Sequence, residues 1–209
     1  MLKAERLDYQ KNQGLDLSNL LKNPFEQFQH WFDFAVDVDA FHANAMMLST
    51  VRNNKPSSRV VLLKEMDEKG FVFFTNYTSA KSKEIDDNKN AALLFFWKEL
   101  ERQIRIEGVL EKVSEEHSNE YFKTRPRESQ IGAWASPQSN TITRAELEKR
   151  VEEFTKKFEG QDVHRPDFWG GFRLVPNRFE FWQGRAGRLH DRFVYENRNG
   201  VWEIVQVAP

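Results

Sequence analysis

Short apolar runs of β type, separated by polar turns, constrain the fold of this chain more than any other sequence feature. The runs are rich in the β-branched and aromatic side chains that strands favour. The last two are joined by Asn199-Gly200, the strongest short signal for a β-hairpin. The predicted strands cover residues 45–51, 57–65, 71–75, 91–97, 103–113, 171–176, 178–183, 188–196 and 201–207.

Helical signals precede and interrupt these strands. Residues 23–26 supply Asn at the N-cap, Pro at N1 and Glu at N3 of a first helix. Shorter helices are predicted at residues 79–88 and 114–124. Residues 143–146 form a capping box, and the stripe of that helix predicted to be buried comprises Leu147, Val151, Phe154 and Phe158.

Many short strands with a few helices predict a mainly β chain of the α+β class, built as an antiparallel β-barrel decorated by helices. Residues 91–97, the longest uninterrupted apolar run, are predicted to form a strand buried on both faces. The length of 209 residues fits one domain over 1–209, with 1–22 as an N-terminal segment.

Composition excludes several classes of function. The 31 Lys and Arg balance 32 Asp and Glu, which argues against nucleic acid as a partner. The chain has no Cys, and its five His lack the spacing of metal ligands, so no metal site is predicted. No run approaches the roughly 20 apolar residues that span a bilayer. We therefore expect a soluble, cytoplasmic protein without a membrane partner.

The segment Arg188–Arg192 is the first candidate site. If it is a strand, its two-residue period puts Arg188, His190 and Arg192 on one face. Three cationic side chains at this spacing suit a phosphate-bearing ligand. The alternative is a solvated edge strand whose charges discourage aggregation. The segment alone does not decide between the two.

Two further segments could bind anions. Alternation in the strand that holds residues 59–64 sends Arg59 to one face and Lys64 to the other, although charged residues often simply end strands. Tyr121 and Arg125 lie four apart on a predicted helix that Pro126 ends, with Ser129 one turn further on. A phenol, a guanidinium and a hydroxyl could form a phosphate pocket; a capped helix with a surface Arg is the alternative.

Motifs of other enzyme classes are missing. No Gly-rich phosphate loop and no GxSxG nucleophile elbow occurs, which excludes Rossmann, P-loop and α/β-hydrolase interpretations. Ser136–Asn140 is a polar loop able to offer amide and hydroxyl contacts, and Phe168–Phe172 is an aromatic segment whose paired glycines are typical of tight packing.

Five segments taken in order resemble the pyridoxamine 5′-phosphate oxidase family, and the resemblance runs from about Arg6 to Pro209. They are RVVLLK at 59–64, LERQIRIEG at 100–108, YFKTRPRESQIGAW at 121–134, FWGGFR at 168–173, and FWQG with RLHDRF within 181–193. The resemblance implies an FMN-binding split β-barrel that works as a homodimer, with FMN at the subunit interface.

The resemblance also implies roles for individual residues. Arg188 and His190 would contact the substrate near the reacting carbon, and Arg6 and Tyr9 match an N-terminal segment that can close over it. The substrate phosphate would be held by Lys64, Tyr121, Arg125 and Ser129. FMN would be lined by Arg59, Val60, Val61, Leu62, Leu63, Lys64, Phe74, Thr75, Lys81, Gln103, Gln138, Ser139, Trp182 and Arg192.

The implied activity is oxidation of pyridoxamine and pyridoxine 5′-phosphates to pyridoxal 5′-phosphate. A hydride passes from the substrate C4′ to flavin N5, dioxygen reoxidises the flavin to give hydrogen peroxide, and the amine substrate releases ammonia. The protein supplies orientation and charge rather than the redox chemistry itself. The alternatives are a flavoprotein of this fold that carries or senses FMN or pyridoxal phosphate without turnover, and one that reduces another substrate.

Two positions depart from the family pattern. Ala80 stands where the family usually has Arg next to Lys81, and the loss of one charged hydrogen bond to phosphate is worth about 1–3 kcal/mol. His42-Ala43 stands where many members carry an acidic residue and Pro.

Overall fold

A computed structural model of the chain describes Tyr9 and residues 14–209. Within that part lie five α-helices: α1 (Pro24–Asp39), α2 (Ala80–Asp87), α3 (Glu115–Thr124), α4 (Arg127–Ala135) and α5 (Arg144–Lys157). The strands are β1 (Ala45–Arg52), β2 (Lys55–Leu62), β3 (Glu65–Asp67), β4 (Gly70–Asn76), β5 (Asn90–Trp97), β6 (Arg102–Lys112), β7 (Trp169–Gln183), β8 (Asp191–Arg198) and β9 (Val201–Gln206). None of the helices in the described part is long and apolar enough to cross a membrane.

All strand pairs are antiparallel and belong to one sheet. Its main order is β2-β1-β5-β6-β7-β4-β3, while β8 pairs with β7 and β9 pairs with β8. The first and last strands of this order follow one another in the chain, separated only by Leu63 and Lys64. The backbone N–H of Lys64 donates to the carbonyl of Val72 on β4 at 2.9 Å. The sheet thus curls round on itself, as the predicted barrel requires.

Helix α1 fills the inside of this sheet with aromatic side chains. Phe28 is fully buried and makes edge contacts with Phe71 of β4 at 4.9 Å and with Phe95 of β5 at 5.1 Å between ring centroids. Trp31 meets Phe181 of β7 at 5.3 Å. Burial of such large rings is the main source of stability in a domain of this size.

The local signals for helix ends are confirmed. The Asn23 side chain accepts a hydrogen bond from the Phe25 N–H at the start of α1, with Pro24 at N1. Thr143 and Glu146 make both bonds of the capping box that starts α5. At the other end of the chain, Asn199 and Gly200 turn β8 into β9 with positive φ angles of 55° and 87°. Each signal is local, so tertiary contacts do not override it.

The largest correction concerns β7. Two strands were predicted over 171–176 and 178–183, but one continuous strand covers Trp169–Gln183. Pro176 is tolerated because the register shifts opposite it, between Glu107 and Gly108 of β6. A Cβ on Gly108 would lie 2.1 Å from the Val175 carbonyl oxygen, so only glycine allows the strands to approach this closely.

Four other predictions were wrong. The strand expected over 188–196 begins only at Asp191, and the strand expected over 57–65 is divided into β2 and β3. Strand β5 is buried on one face only, since the Phe96 side chain is 51% exposed. The predicted buried stripe of α5 is incomplete, because Phe158 is buried but Val151 is 39% exposed. Helix α4 was not predicted at all.

The aromatic interior predicts a large stability difference between two substitutions on or near α1. Phe28→Ala should lower the free energy of unfolding by about 3–5 kcal/mol, because it leaves a cavity inside the sheet. Phe41→Ala is the matched control, since that ring is 91% exposed, and it should change stability by less than about 0.5 kcal/mol. Guanidinium denaturation followed by tryptophan fluorescence measures both values. Equal losses would contradict the assignment of the core.

Candidate active site

An open cleft of about 720 Å³ lies between the β2 and β4 strands and the helices α2, α3 and α4. Strand β2 contributes the four consecutive residues 59–62, and therefore both of its faces take part. Helices α3 and α4 contribute residues on either side of Pro126. The structure thereby brings together residues that are up to 110 positions apart in sequence, from Arg59 to Trp169. The predicted site residues that line it are Arg59, Val60, Val61, Leu62, Lys64, Phe74, Thr75, Lys81, Tyr121, Arg125, Ser129 and Gln138.

One end of the cleft is built around Arg125, which caps the C-terminus of α3. Its guanidinium carbon lies 4.6 Å from the centre of the Trp169 ring, in cation–π geometry. Burial lowers the pKa of Arg125, although the Tyr121 phenol acts in the opposite direction. The Nη1 atom is buried and has no hydrogen-bond partner in the described part of the chain. A buried, unpaired guanidinium nitrogen is costly unless an anion meets it.

Aromatic rings form the wall beside this end. Tyr121 stacks on Phe74 with 3.8 Å between ring centroids, and Phe74 stacks on Trp169 at 5.5 Å. Burial raises the pKa of the Tyr121 phenol, so the group remains a hydrogen-bond donor at neutral pH. The rings hold Arg125 in place and exclude water from one side of it.

The other end of the cleft is built around Lys81, in the first turn of α2. Its Nζ donates to Thr75 Oγ1 and to Gln138 Oε1, both at 3.1 Å, and Thr75 Oγ1 donates to the same Gln138 oxygen. Burial, and then the charge of Arg59, lower the pKa of Lys81, while Glu84 raises it. Two cations close together in a half-buried place suit an anion of more than one charge.

Two predicted cofactor residues do not present side chains to the cleft. Leu63 is 6% exposed and belongs to the core, with its N–H donating to the Asn44 carbonyl at 2.8 Å. Ser139 is exposed with a φ of 71° and does not line the cleft, although Gln138 beside it does.

Five other predicted residues, which we call the aromatic–basic cluster, gather elsewhere, around the C-terminal end of β7. Trp182 is paired across the sheet with Gln103 of β6 and with Arg192 of β8. Its ring lies 4.6 Å from the ring of His190 and 5.5 Å from that of Tyr9. None of these five residues lines the cleft.

A buried carboxylate holds Arg192 in this cluster. Glu180 is only 2% exposed, and Arg192 donates to its Oε1 from Nε at 2.9 Å and from Nη2 at 2.8 Å. Arg105 reaches the other oxygen of Glu180 at 2.7 Å. The Nη1 of Arg192 donates to the Ala208 carbonyl at 2.7 Å. The guanidinium of Arg192 is therefore fixed before any ligand binds.

The expected ladder of Arg188, His190 and Arg192 on one strand face is wrong. Arg188 ends a short 3₁₀ turn and has a φ of 63°, and His190 precedes β8. His190 Nδ1 accepts a hydrogen bond from the Arg185 N–H at 3.1 Å, which leaves the neutral ring with its proton on Nε2. Positive φ at both Gly187 and Arg188 breaks the strand period. Arg6 lies outside the described residues.

Sequence reasoning missed several residues that line the cleft. Trp169 was assigned to tight packing, a role that the glycines after it do fill: a Cβ on Gly170 would lie 2.2 Å from the Tyr77 hydroxyl. The aromatic character of that segment could have suggested a wall. The remaining unpredicted lining residues are Asn76, Thr124, Pro126, Gly132, Ala133 and Ser136.

Two family models match this chain, and together they include most residues of the cleft and of the aromatic–basic cluster. A family model described as "Pyridoxamine 5′-phosphate oxidase" matches residues 37–158, which hold most of the cleft. A second, described as "Pyridoxine 5′-phosphate oxidase C-terminal dimerisation region", matches residues 169–209. That second match contains Trp182, His190 and Arg192 of the aromatic–basic cluster.

Similar proteins and structures agree with these models. The chain is 52% identical over 200 residues to a pyridoxine/pyridoxamine 5′-phosphate oxidase of Nostoc punctiforme, covering 94% of each chain. It is 55% identical over 190 residues to the enzyme of that name from Bordetella pertussis, covering 90% of each. A crystal structure of PhzG from Burkholderia lata with tetrahydrophenazine-1-carboxylic acid has a TM-score of 0.85 at 28% identity, covering 92% of this chain and 95% of that one.

An FMN-binding protein of Nostoc punctiforme related to pyridoxamine 5′-phosphate oxidase shares the fold with a TM-score of 0.69 at 16% identity, covering 87% of this chain and 97% of that one. Matches at half identity over nine-tenths of the length extend well beyond a shared fold. The chain belongs to the pyridoxamine 5′-phosphate oxidase family, whose members are FMN-dependent oxidoreductases of vitamin B6 metabolism.

Proposed function

We propose that this protein binds FMN in the cleft and oxidises pyridoxamine and pyridoxine 5′-phosphates to pyridoxal 5′-phosphate, with dioxygen as electron acceptor. The observation that carries the proposal is the buried Nη1 of Arg125 at one end of the cleft, for which Tyr9 and residues 14–209 provide no hydrogen-bond partner. A phosphate-bearing substrate supplies the anion that this nitrogen lacks. Lys64, Tyr121 and Ser129 line the same cleft and complete the proposed phosphate site.

The cleft suits two phosphorylated molecules bound side by side. Arg125 marks one cationic end, and Lys81 with Arg59 marks the other. FMN placed with its phosphate at Lys81 would extend over Val60, Val61 and Leu62 toward the end that holds the substrate phosphate. The volume of about 720 Å³ is within the range of sites for cofactors and small ligands. The residues of the cleft therefore fit FMN.

The aromatic–basic cluster is best explained as a contribution from a second copy of the chain. Trp169 lines the cleft and Trp182 belongs to the cluster, so the two groups lie toward opposite ends of β7. The cluster also falls within the region that matches the dimerisation model. We propose a homodimer in which the cluster of one protomer completes the cleft of its partner.

An apolar patch on the outer face of the sheet supports this arrangement. It consists of Met47, Val60, Leu62 and Phe96, which are between 41% and 64% exposed in the single chain. Val60 and Leu62 also line the cleft, and Phe96 is paired with Gln103 of the aromatic–basic cluster. A partner that covers this patch would therefore reach both groups of site residues at once.

FMN held by the cleft residues would supply the redox chemistry, namely acceptance of a hydride and reoxidation by dioxygen to give hydrogen peroxide. The residues of the chain bind and orient the reactants. Arg125, with Lys64, Tyr121 and Ser129, would anchor the substrate phosphate. His190 can donate from Nε2, because Nδ1 is held by the Arg185 N–H. We propose that His190 and Arg188 position the substrate at the reacting carbon and stabilise charge there.

The proposed activity predicts that the purified protein is yellow and consumes oxygen with either phosphorylated vitamer. Oxygen uptake and peroxide release should both occur with pyridoxamine 5′-phosphate in air, and should be absent with the unphosphorylated vitamers at the same concentration. A yellow protein that consumes no oxygen would favour a carrier or sensor. Oxidation of a tetrahydrophenazine carboxylate, without oxidation of either vitamer, would instead indicate a substrate like the molecule bound in the PhzG structure.

Replacement of Arg125 should weaken substrate binding selectively. Arg125→Ala should raise KM for pyridoxamine 5′-phosphate by roughly tenfold to a hundredfold, the equivalent of one charged hydrogen bond, and leave FMN bound. Arg144→Ala is the matched control, because that side chain is 82% exposed, pairs with Glu148 on the surface and does not line the cleft. Steady-state kinetics and the flavin absorbance of the purified variants measure both effects. Loss of flavin from Arg125→Ala would show that Arg125 binds the phosphate of FMN and not the phosphate of the substrate.

A site shared between protomers predicts complementation between two impaired variants, measured at a substrate concentration far below the raised KM of Arg125→Ala. Arg125→Ala changes the cleft and His190→Ala changes the cluster, so a mixed dimer contains one unaltered site. Refolding the two variants together at equal concentration should restore about a quarter of wild-type activity, since half of the dimers are mixed and each has one intact site. A site built within one chain would give no recovery.

A further inference from the structure

Arg59 lies at the Lys81 end of the cleft, yet its terminal nitrogens are already occupied by the protein. Nη1 donates to Thr50 Oγ1 at 2.5 Å and to the Leu48 carbonyl at 3.3 Å. Nη2 donates to Ser57 Oγ at 2.8 Å and to Glu84 Oε2 at 2.5 Å. These four bonds use all four N–H groups of the two terminal nitrogens, so Arg59 can offer a ligand its Nε–H and its charge.

Glu84 is the residue that holds this arrangement together. Its side chain is 14% exposed, and the same Oε2 atom that accepts from Arg59 accepts from Thr50 Oγ1 at 2.5 Å. Burial favours the protonated acid, but the hydrogen bonds from Thr50 and Arg59 prevail and lower the pKa of Glu84. The group is therefore a carboxylate at neutral pH. Neither Glu84 nor Thr50 lines the cleft, so the contact is made behind Arg59.

The position of Glu84 on α2 connects the two cations of this end. Lys81 and Glu84 lie three residues apart on α2 and therefore share a face of the helix. Lys81 points into the cleft, while Glu84 binds Arg59 of β2 and Thr50 of β1. One side chain thus joins the helix that carries Lys81 to the hairpin that carries Arg59.

We propose that Glu84 is a positioning residue for the phosphate of the cofactor, which it serves by fixing Arg59 from behind and by joining α2 to the β1–β2 hairpin. This inference rests on the proposed binding of FMN in the cleft. It also accounts for the tolerance of Ala80, where the family usually has a second cation beside Lys81. Because Glu84 fixes the guanidinium of Arg59, its charge is in position before the phosphate binds. Less conformational entropy is therefore lost on binding.

Two substitutions separate the geometry of Glu84 from its charge. Glu84→Gln keeps an oxygen that can accept from Arg59, whereas Glu84→Ala removes the contact. Asp86→Ala on the exposed side of α2 is the matched control. The full-length proteins are freed of flavin by dialysis, and the dissociation constants of FMN and of riboflavin are measured by quenching of flavin fluorescence. The ³¹P resonance of bound FMN reports directly on the surroundings of the phosphate.

Glu84→Ala should weaken FMN binding by roughly tenfold to a hundredfold, the loss of one charged hydrogen bond, and should shift the ³¹P resonance. Riboflavin has no phosphate, so its affinity should change by less than about twofold. Glu84→Gln and Asp86→Ala should behave like the wild type in all three measurements.

Three results would overturn the inference. Tighter FMN binding in both Glu84 variants would make the carboxylate a competing anion. Equal weakening of FMN and riboflavin, with an unchanged ³¹P resonance, would make Glu84 a packing residue only. A Glu84→Gln variant as weak as Glu84→Ala would assign the effect to charge and not to position. Failure of the wild-type protein itself to bind FMN would instead contradict the proposed function.

Discussion

Strand β7 is the constraint on which the rest of the structure depends. It hydrogen-bonds to β4 along its first half, to β8 along its second half and to β6 along most of its length. The contour from Trp169 to Trp182 is roughly 40 Å at the usual rise of a strand. Its continuity requires Gly108 opposite Pro176, where the bulge lets the strand bend without losing its pairing. A single uninterrupted strand therefore determines both the curvature of the sheet and the separation of the two groups of site residues.

The two arginines of the cleft show how the same side chain serves opposite purposes. Arg59 has its terminal nitrogens satisfied by the protein, whereas Arg125 has a buried nitrogen with no partner in the described part of the chain. The first is a fixed charge that helps to shape its end of the cleft. The second is held by an aromatic ring, which supplies attraction without using up the hydrogen bonds. Arg125 can therefore form new hydrogen bonds to a ligand, whereas the hydrogen bonds of Arg59 keep its guanidinium in place.

Sequence reasoning predicted the features that depend on neighbours in the chain. The caps at Asn23 and Thr143, the turn at Asn199-Gly200 and the alternating burial along β2 are local and are confirmed. Residue spacing offered a pocket of Tyr121, Arg125 and Ser129 as one of two alternatives. The addition of Lys64 to that pocket came from the family resemblance, since no local signal joins the end of β2 to α3 and α4. The start of β8 was placed too early, because the positive φ at Arg188 has no counterpart in the side-chain pattern. The partners of Arg59 come from β1 and α2, which no periodicity connects.

Strand β5 illustrates a different limit of prediction from sequence. A strand whose outer face is apolar because it contacts another subunit has the same sequence pattern as a strand buried on both faces. Periodicity alone therefore cannot distinguish the two. The exposed ring of Phe96 has a thermodynamic consequence in the dimer we propose. If association and flavin binding use the same surface, as we propose, the two equilibria are linked: FMN in the cleft would strengthen the contact between protomers, and that contact would strengthen the binding of FMN. Dilution of such a dimer would therefore lower its activity, because dissociation of the protomers would also weaken the binding of FMN.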